Sequence, residues 1–379
     1  IVFFALLIGL LATTWQTRRA IEAEKRAETE SAKAKAESRI AKALNDFLNQ
    51  DLLNQANVFE DGTADPDVRL KDVVDSAAEK VGERFADDPE VEFEIRSTLA
   101  SVYHYLADFE KSIKLRTRAL ELANSQFGQL HEKTLDCEAL LADSYLMSGN
   151  GGKAQKMAYD LRARLIAAEL DRNDRRLIEA TERVGDLANQ MGQHQNAEPL
   201  LRETYQVRKA QQEPDTEELM RTAERLARCL WSQVSNDRAR HRSWQASDAQ
   251  QRMLTEAKEL LLESIELSKS LPDSEVVVVL ARTDIAYILY LEGRFEQAER
   301  LLKQGLSELQ EWQSKVGDYA VLGYVNVVRL QLANCLTAQK KFAEAEELLR
   351  NAWERMREID PAHPETLVTA HQLATNLAS

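Results

Sequence analysis

Residues 141–154 read LADSYLMSGNGGKA. They place a small residue behind a branched aliphatic, an aromatic three positions on, and a second small residue at twelve. The same arrangement recurs along the chain. Small residues stand at Ala100, Ala142, Gly185, Ala227, Ala286, Ala333 and Ala374, each preceded by Leu99, Leu141, Val184, Leu226, Ile285, Leu332 or Leu373. Twelve positions after the small residue come Ser112, Ala154, Ala197, Ala298 and Ala345. In the fourth unit the matching residue, Ala257, lies thirty positions on, and an insertion near 232–252 accounts both for this and for most of the 59-residue step from Ala227 to Ala286. Two antiparallel helices approach closely only where small side chains meet, with larger ones filling the groove on either side. The spacing therefore predicts helical hairpins repeating about every 42 residues. Gly149, Gly192 and Gly293 fall in the turns, where glycine accepts the left-handed conformation.

Composition agrees. Of 379 residues, only 13 are Gly and 7 are Pro, too few for the turns of an all-β fold. The fold class expected is all-α, a right-handed α-solenoid. The net charge of −14, from 49 Lys+Arg against 63 Asp+Glu, excludes nucleic acid as the natural partner, because phosphate neutralisation supplies most of that affinity. Cys137, Cys229 and Cys335 are odd in number and far apart, indicating neither a disulfide framework nor a zinc site. Each lies in a helical pattern, where a thiol packs like alanine.

Ile1–Ala12 is continuously apolar and is followed by Trp15, Arg18 and Arg19. Twelve residues are short of the ~20 that span a bilayer. The interfacial flank nevertheless reads as the end of a membrane helix, so residues 1–17 are expected to be a truncated transmembrane segment and the chain a single-pass membrane protein. Residues 18–43 read as an Ala/Glu/Lys stalk. Ala20, Ala27, Ala34 and Ala41 recur every seven residues, but Glu30 and Glu37 interrupt the seam. That predicts a solvated helix with at most a weak homodimer. Residues 44–90 form a helical cap region, and the repeats run over 91–379 as six hairpins and a terminal helix.

The aliphatic-small-x-x-aromatic pattern resembles the tetratricopeptide repeat. The period, with the linkers His131–Leu135 and His363–Leu367, resembles its kinesin-light-chain-like subclass. A narrower resemblance rests on the membrane helix ending Thr13-Thr14-Trp15, the stalk, Asn45–Leu53, Val73–Ala77, Arg84-Phe85 and Pro89–Glu92. This order is similar to the half of planctomycete-type bacterial serine/threonine protein kinases that follows the membrane helix. The resemblance implies a binding array serving a kinase domain upstream of Ile1, with ATP and Mg belonging to that domain alone and the array on the extracytoplasmic side. A stand-alone anchored scaffold, or the binding half of a non-kinase regulator, fits the same residues.

Catalytic signatures are missing from the sequence. Gly149–Lys153 resembles a phosphate loop but lacks the preceding strand and the Lys-Ser/Thr ending. The six histidines show no i, i+4 pair for zinc. No cofactor is expected in this fragment, and the function expected is recognition of a protein or peptide. In stacked hairpins the first helices line the groove. Side chains one turn either side of the small position should face it: Glu179, Glu182, Asp186 and Asn189, then Arg221, Glu224, Arg228 and Trp231, then Thr283, Tyr287, Tyr290, Val327, Leu330 and Asn334. That groove would run from acidic to aromatic-apolar and suit a basic-plus-apolar peptide. The plainer alternative is that Tyr287 and Tyr290 only pack against neighbours. In the insertion, Arg238, Arg240, Arg242 and Trp244 make a candidate second contact on a loop.

Overall fold

A computed structural model describes residues 30–31, 34–43, 45–47, 70–240, 246–272, 274–316, 318–359 and 364–377. It is all-helical among these residues and divides into two compact units, Ile1–Met157 and Ala158–Ser379. The first unit contains α1 (Leu70–Arg84), α2 (Pro89–Tyr105), α3 (Phe109–Gln126), α4 (Glu132–Met147) and the start of α5 (Gly151–Ala167). The second begins within α5. It continues with α6 (Arg175–Gln190), α7 (His194–Lys209), α8 (Thr216–Arg240), α9 (Asp248–Ser268), α10 (Glu275–Leu291), α11 (Phe295–Val316), α12 (Asp318–Ala338), α13 (Phe342–Ile359) and α14 (Pro364–Leu377). Consecutive helices pack together from α1 to α4 in the first unit and from α6 to α14 in the second.

The paired small residues are the contact points. Ala100, Ala142, Ala227, Ala286 and Ala333 are at most 1% exposed, and Ser112, Ala154, Ala197, Ala257, Ala298 and Ala345 are fully buried. Ser112 Oγ donates to the Ala100 carbonyl at 2.8 Å, so the first hairpin touches at both small positions. Ala374 is exposed, with no following helix packed on it among the described residues. At Gly185 a Cβ would lie 2.9 Å from Leu201 Cγ and 3.3 Å from Leu200 Cβ. Gly185→Ala is therefore expected to cost about 1–3 kcal/mol through overpacking, despite alanine's better helix propensity, and thermal denaturation would show it.

The turn inside a hairpin repeats as one motif. A residue in the left-handed region follows the first helix, and the next N–H bonds five residues back to close a Schellman turn. Asn150 donates to Tyr145 O, Gln193 to Ala188 O and Arg294 to Leu289 O, each at 2.8 Å, around Gly149, Gly192 and Gly293. Asp108 and Lys341 close the same bond at 2.9 Å, but around Ala107 (φ 56°) and Lys340 (φ 62°). A side chain there costs about 1–2 kcal/mol, partly offset by glycine's greater freedom when unfolded. Ala107→Gly should accordingly raise stability by about 0.5–1 kcal/mol in a denaturant titration.

In the first unit Phe47, Val74, Ala77, Val81, Ile95, Leu99 and Tyr103 form the main core. Ile40 and Phe47 belong to it, and Phe47 stands edge-on to Phe85 at 6.2 Å. The end of the expected solvated stalk is thus packed rather than free, because residues 34–43 carry one isoleucine that the cap helices bury. The rest of the stalk, and residues 1–17, lie outside the described residues. In the second unit, Leu201, Leu226, Leu230, Leu254, Leu261 and Ile288 form one core and Leu302, Val321, Val325, Leu332 and Leu349 another. Cys137, Cys229 and Cys335 are buried and unpaired, with burial pushing their thiols up to about 11, 12 and 12.

Two expectations are corrected. The insertion is not a loop through most of its described length. α8 continues unbroken to Arg240, with Val234 fully buried, and α9 opens at Asp248 behind a Ser247–Gln250 capping box. Its residues Arg242 and Trp244, and the Arg240 side chain, lie outside the described residues. The single-pass membrane placement, with its extracytoplasmic array, is not supported, since no helix among the described residues is long and apolar enough to cross a membrane. Among the described residues, the apolar run at 276–280 of α10 sits in a helix of only 17 residues, and α8, at 25, is interleaved with Glu and Arg.

Candidate functional site

Glu179, Glu182, Asp186 and Asn189 share one face of α6, yet they do not form an open acidic stretch. Glu182 is buried. It accepts from Thr222 Oγ1 at 2.6 Å, and its carboxylate pairs with Arg225 at 2.9 Å and Arg208 at 3.0 Å. Burial pushes its carboxyl up, but Arg225, the Thr222 hydroxyl and Arg208 outweigh that and hold it below the usual range. Arg208, equally buried, also meets Glu218 at 3.1 Å. This network fastens α6, α7 and α8 together. Asp186 lies 3.8 Å from Arg225 and accepts from Gln190 at 3.1 Å, and Glu179 pairs with Arg175 at 2.5 Å.

Asn189 is also buried, with its Oδ1 2.6 Å from His194 Nδ1, while Asn236 Nδ2 stands 2.7 Å from Nε2. An amide nitrogen can only donate, so Nε2 accepts and Nδ1 carries the proton. Burial lowers the His194 pKa and favours that neutral ring. Asn236 belongs to the extension of α8, so the additional turns reach back to the α6–α7 turn. Beside this network opens a polar cleft of about 300 Å³, bordered by Gln193, Asn196, Gln233 and Asn236.

α8 and α10 bring the aromatic candidates together. Trp231 stands edge-on to Tyr287 with centroids 4.9 Å apart, and Tyr287 stacks on Tyr290 at 5.8 Å. The Tyr287 hydroxyl and Ser235 Oγ are 2.7 Å apart. Arg238 lies 4.8 Å over the Tyr290 ring and donates to the Tyr290 and Leu291 carbonyls at 2.9 and 3.0 Å. It therefore caps the C-terminus of α10, an internal duty, rather than presenting itself on a loop. Tyr290 is thereby held in packing, whereas Trp231 Nε1 is buried with no acceptor among the described residues.

One turn away on the same two helices sit Glu224, Arg228 and Asp284. Ser264 Oγ donates to Glu224 at 2.6 Å, and Arg228 lies 3.6 Å from Asp284. Burial pushes the Asp284 carboxyl up to about 6, with Glu224 adding to the rise and Arg228 opposing it. Burial raises Glu224 as well. The Arg228 side chain is 52% exposed, so two desolvated carboxylates share a cation that remains largely in water. Further along, Thr283 is buried and donates to Val279 O. Leu330 packs on the neighbouring core, Asn334 accepts from Gln372 at 3.1 Å, and Val327 is exposed. Arg221 pairs along its own helix with Glu217. The structure thus gathers Glu224, Arg228, Trp231, Asp284 and Tyr287 on one face and assigns the α6 candidates to structural networks. Asp284 and Ser264 lie outside the helical register of the groove-facing positions, and burial of its carboxyl sets Asp284 apart.

Two tetratricopeptide repeat family models match the chain, at residues 92–165 and 328–364. Among solved structures, the apo form of RapI superposes with a TM-score of 0.55 at 13% identity, covering 85% of this chain and 98% of that one. BtubC (BKLC) from P. vanneervenii does so at 0.50 and 17% identity, over 65% of this chain and 93% of its own. A putative kinesin light chain from Podosopora anserina, with TPR-like repeats, gives 0.46 and 17% identity over 58% and 96%. No curated protein sequence matches the chain. The segments 92–165 and 328–364 thus carry tetratricopeptide repeats, and the likeness of the chain to RapI and BtubC is one of fold.

Proposed function

We propose that the face shared by α8 and α10 binds a segment of another protein that carries a basic side chain next to an apolar one, and that the chain is an interaction module with no chemistry of its own. The carrying observation is the pair Glu224 and Asp284, desolvated carboxylates raised by burial and answered by one largely hydrated arginine. A ligand lysine or guanidinium there would relieve both, and a charged hydrogen bond of this kind contributes about 1.5–3 kcal/mol. The Trp231 N–H, buried without an acceptor, would donate to a ligand carbonyl, with the Trp231–Tyr287 pair as the apolar anchor.

Panning a random-peptide display library on the 379-residue protein should enrich Lys or Arg within one or two residues of an apolar side chain. Glu224→Gln with Asp284→Asn should weaken those peptides about tenfold or more. Enrichment of acidic peptides, or equal binding by the double variant, would refute the reading. The finer proposal, that this module serves a serine/threonine kinase domain encoded upstream, rests on the order of segments before the first repeat. Translating the coding sequence ahead of Ile1 tests it. A Gly-rich loop followed by His-Arg-Asp and Asp-Phe-Gly would support a kinase, and a different effector domain would remove it.

A further inference from the structure

The first hairpin, together with the helix that follows it, departs from the rest of the array at three buried positions. Four residues after the second small position, the later hairpins carry Ala158, Leu201, Leu261, Leu302 and Leu349, all at most 3% exposed. The first carries Arg116, which is just as buried at 3%. The small position itself is Ser112, where every other hairpin has alanine. Facing them from α4 is Ser144, where the first helices of the other hairpins have Val102, Leu187, Cys229, Ile288 and Cys335, and only the terminal helix is again polar, with Asn376. Three apolar sites have turned polar together, around one guanidinium.

That guanidinium has no counter-ion. Arg116 Nε reaches Ser112 Oγ and Nη2 reaches Ser101 Oγ, both at 3.3 Å, and no carboxylate lies within ion-pairing distance among the described residues. The hydroxyls already donate to backbone carbonyls, Ser112 to Ala100, Ser101 to Ser97 and Ser144 to Leu140, so they offer Arg116 only neutral lone pairs. Asp143 acts on its charge from a distance without pairing with it. Burial pushes the guanidinium down, as befits a cation without a counter-charge. Along the same face of α2 the half-buried His104 keeps a buried Nδ1 with no partner, as does Ser97 Oγ. A buried unpaired cation is costly, and a leucine like those of the later hairpins would avoid the cost.

We propose that Arg116 is an anion-binding residue, a cation kept in the core of the first hairpin so that a carboxylate of a bound protein, from an acidic side chain or a chain terminus, supplies its missing counter-charge beside Ser101 and His104. A single guanidinium among neutral hydroxyls balances one negative charge, which selects carboxylate over a doubly charged phosphoryl group. The site lies in the first unit and does not depend on the basic-ligand reading of α8 and α10.

The test compares thermal melting of the 379-residue protein in acetate, chloride and inorganic phosphate at equal ionic strength, for wild type and Arg116→Leu. Arg116→Leu should melt about 2–4 °C higher in chloride, and acetate should raise the melting temperature of the wild type but not of the variant. In the wild type, acetate should also shift the Arg116 Nε–H resonance, an observation that needs no variant to fold. A lower melting temperature for Arg116→Leu, an acetate effect that survives it, or a resonance that stays still would each overturn the proposal. An equal or larger response to phosphate would overturn the choice of carboxylate.

Discussion

Glu182→Ala is expected to cost about 3 kcal/mol at neutral pH, because it strands Arg208 with no shelter but Glu218 and takes from Arg225 its closest partner. Removing one member of a buried ion pair leaves the other charge desolvated, which outweighs the loss of the contact itself. The cost should depend on pH in a definite sense. The Glu182 carboxyl is held below the ordinary glutamate range in the folded protein. Its contribution is therefore complete above the unfolded value and disappears as pH falls through the folded one. Urea melts of wild type and variant should differ most near neutrality and converge in acid. A variant as stable as wild type at pH 7 would mean that the network holds no more than a surface pair does.

The opposite sign is expected at Asp284. Its carboxyl titrates at about 6 when folded, above the ordinary 3.8, so the folded state holds the proton more tightly and ionisation at neutral pH opposes folding. Stability from this residue is full below the unfolded value and is lost as pH rises through about 6. Asp284→Asn should thus stabilise the protein at pH 7 by about 1–3 kcal/mol, with the gain vanishing below about pH 4. Arg228 limits that gain only slightly, since an ion pair to a largely exposed side chain contributes about 0–1 kcal/mol. The same variant loses a ligand-facing carboxylate, so its higher stability should accompany weaker binding. That combination marks a residue retained for recognition rather than for folding.

The repeat was legible because it obeys local geometry. Small residues twelve apart, with branched neighbours, can satisfy a close helix contact in one way, and every such pair up to Ala333 and Ala345 is buried. The α8 extension is hidden in the sequence because Ser232–Arg240 is polar enough to pass for a loop. Val234 and Arg238, four apart and both turned inward, were the available signal. The partners of the α6 groove candidates are hidden in the sequence for a different reason. A glutamate on a helix face reads as solvated unless its partners are known, and Arg208 lies 26 residues away on another helix. Asp284 escaped notice likewise, since its burial comes from packing between helices.

The three cysteines have a practical consequence. With burial holding them at about 11, 12 and 12, almost no thiolate exists at neutral pH, and no thiol-modifying reagent reaches them in the closed fold. Cys137 sits in α4, Cys229 in α8 and Cys335 in α12, so every second hairpin carries its own reporter. Under native conditions the labelling rate of each would time the momentary opening of its own hairpin, a record of fraying along the stack that needs no engineered probe.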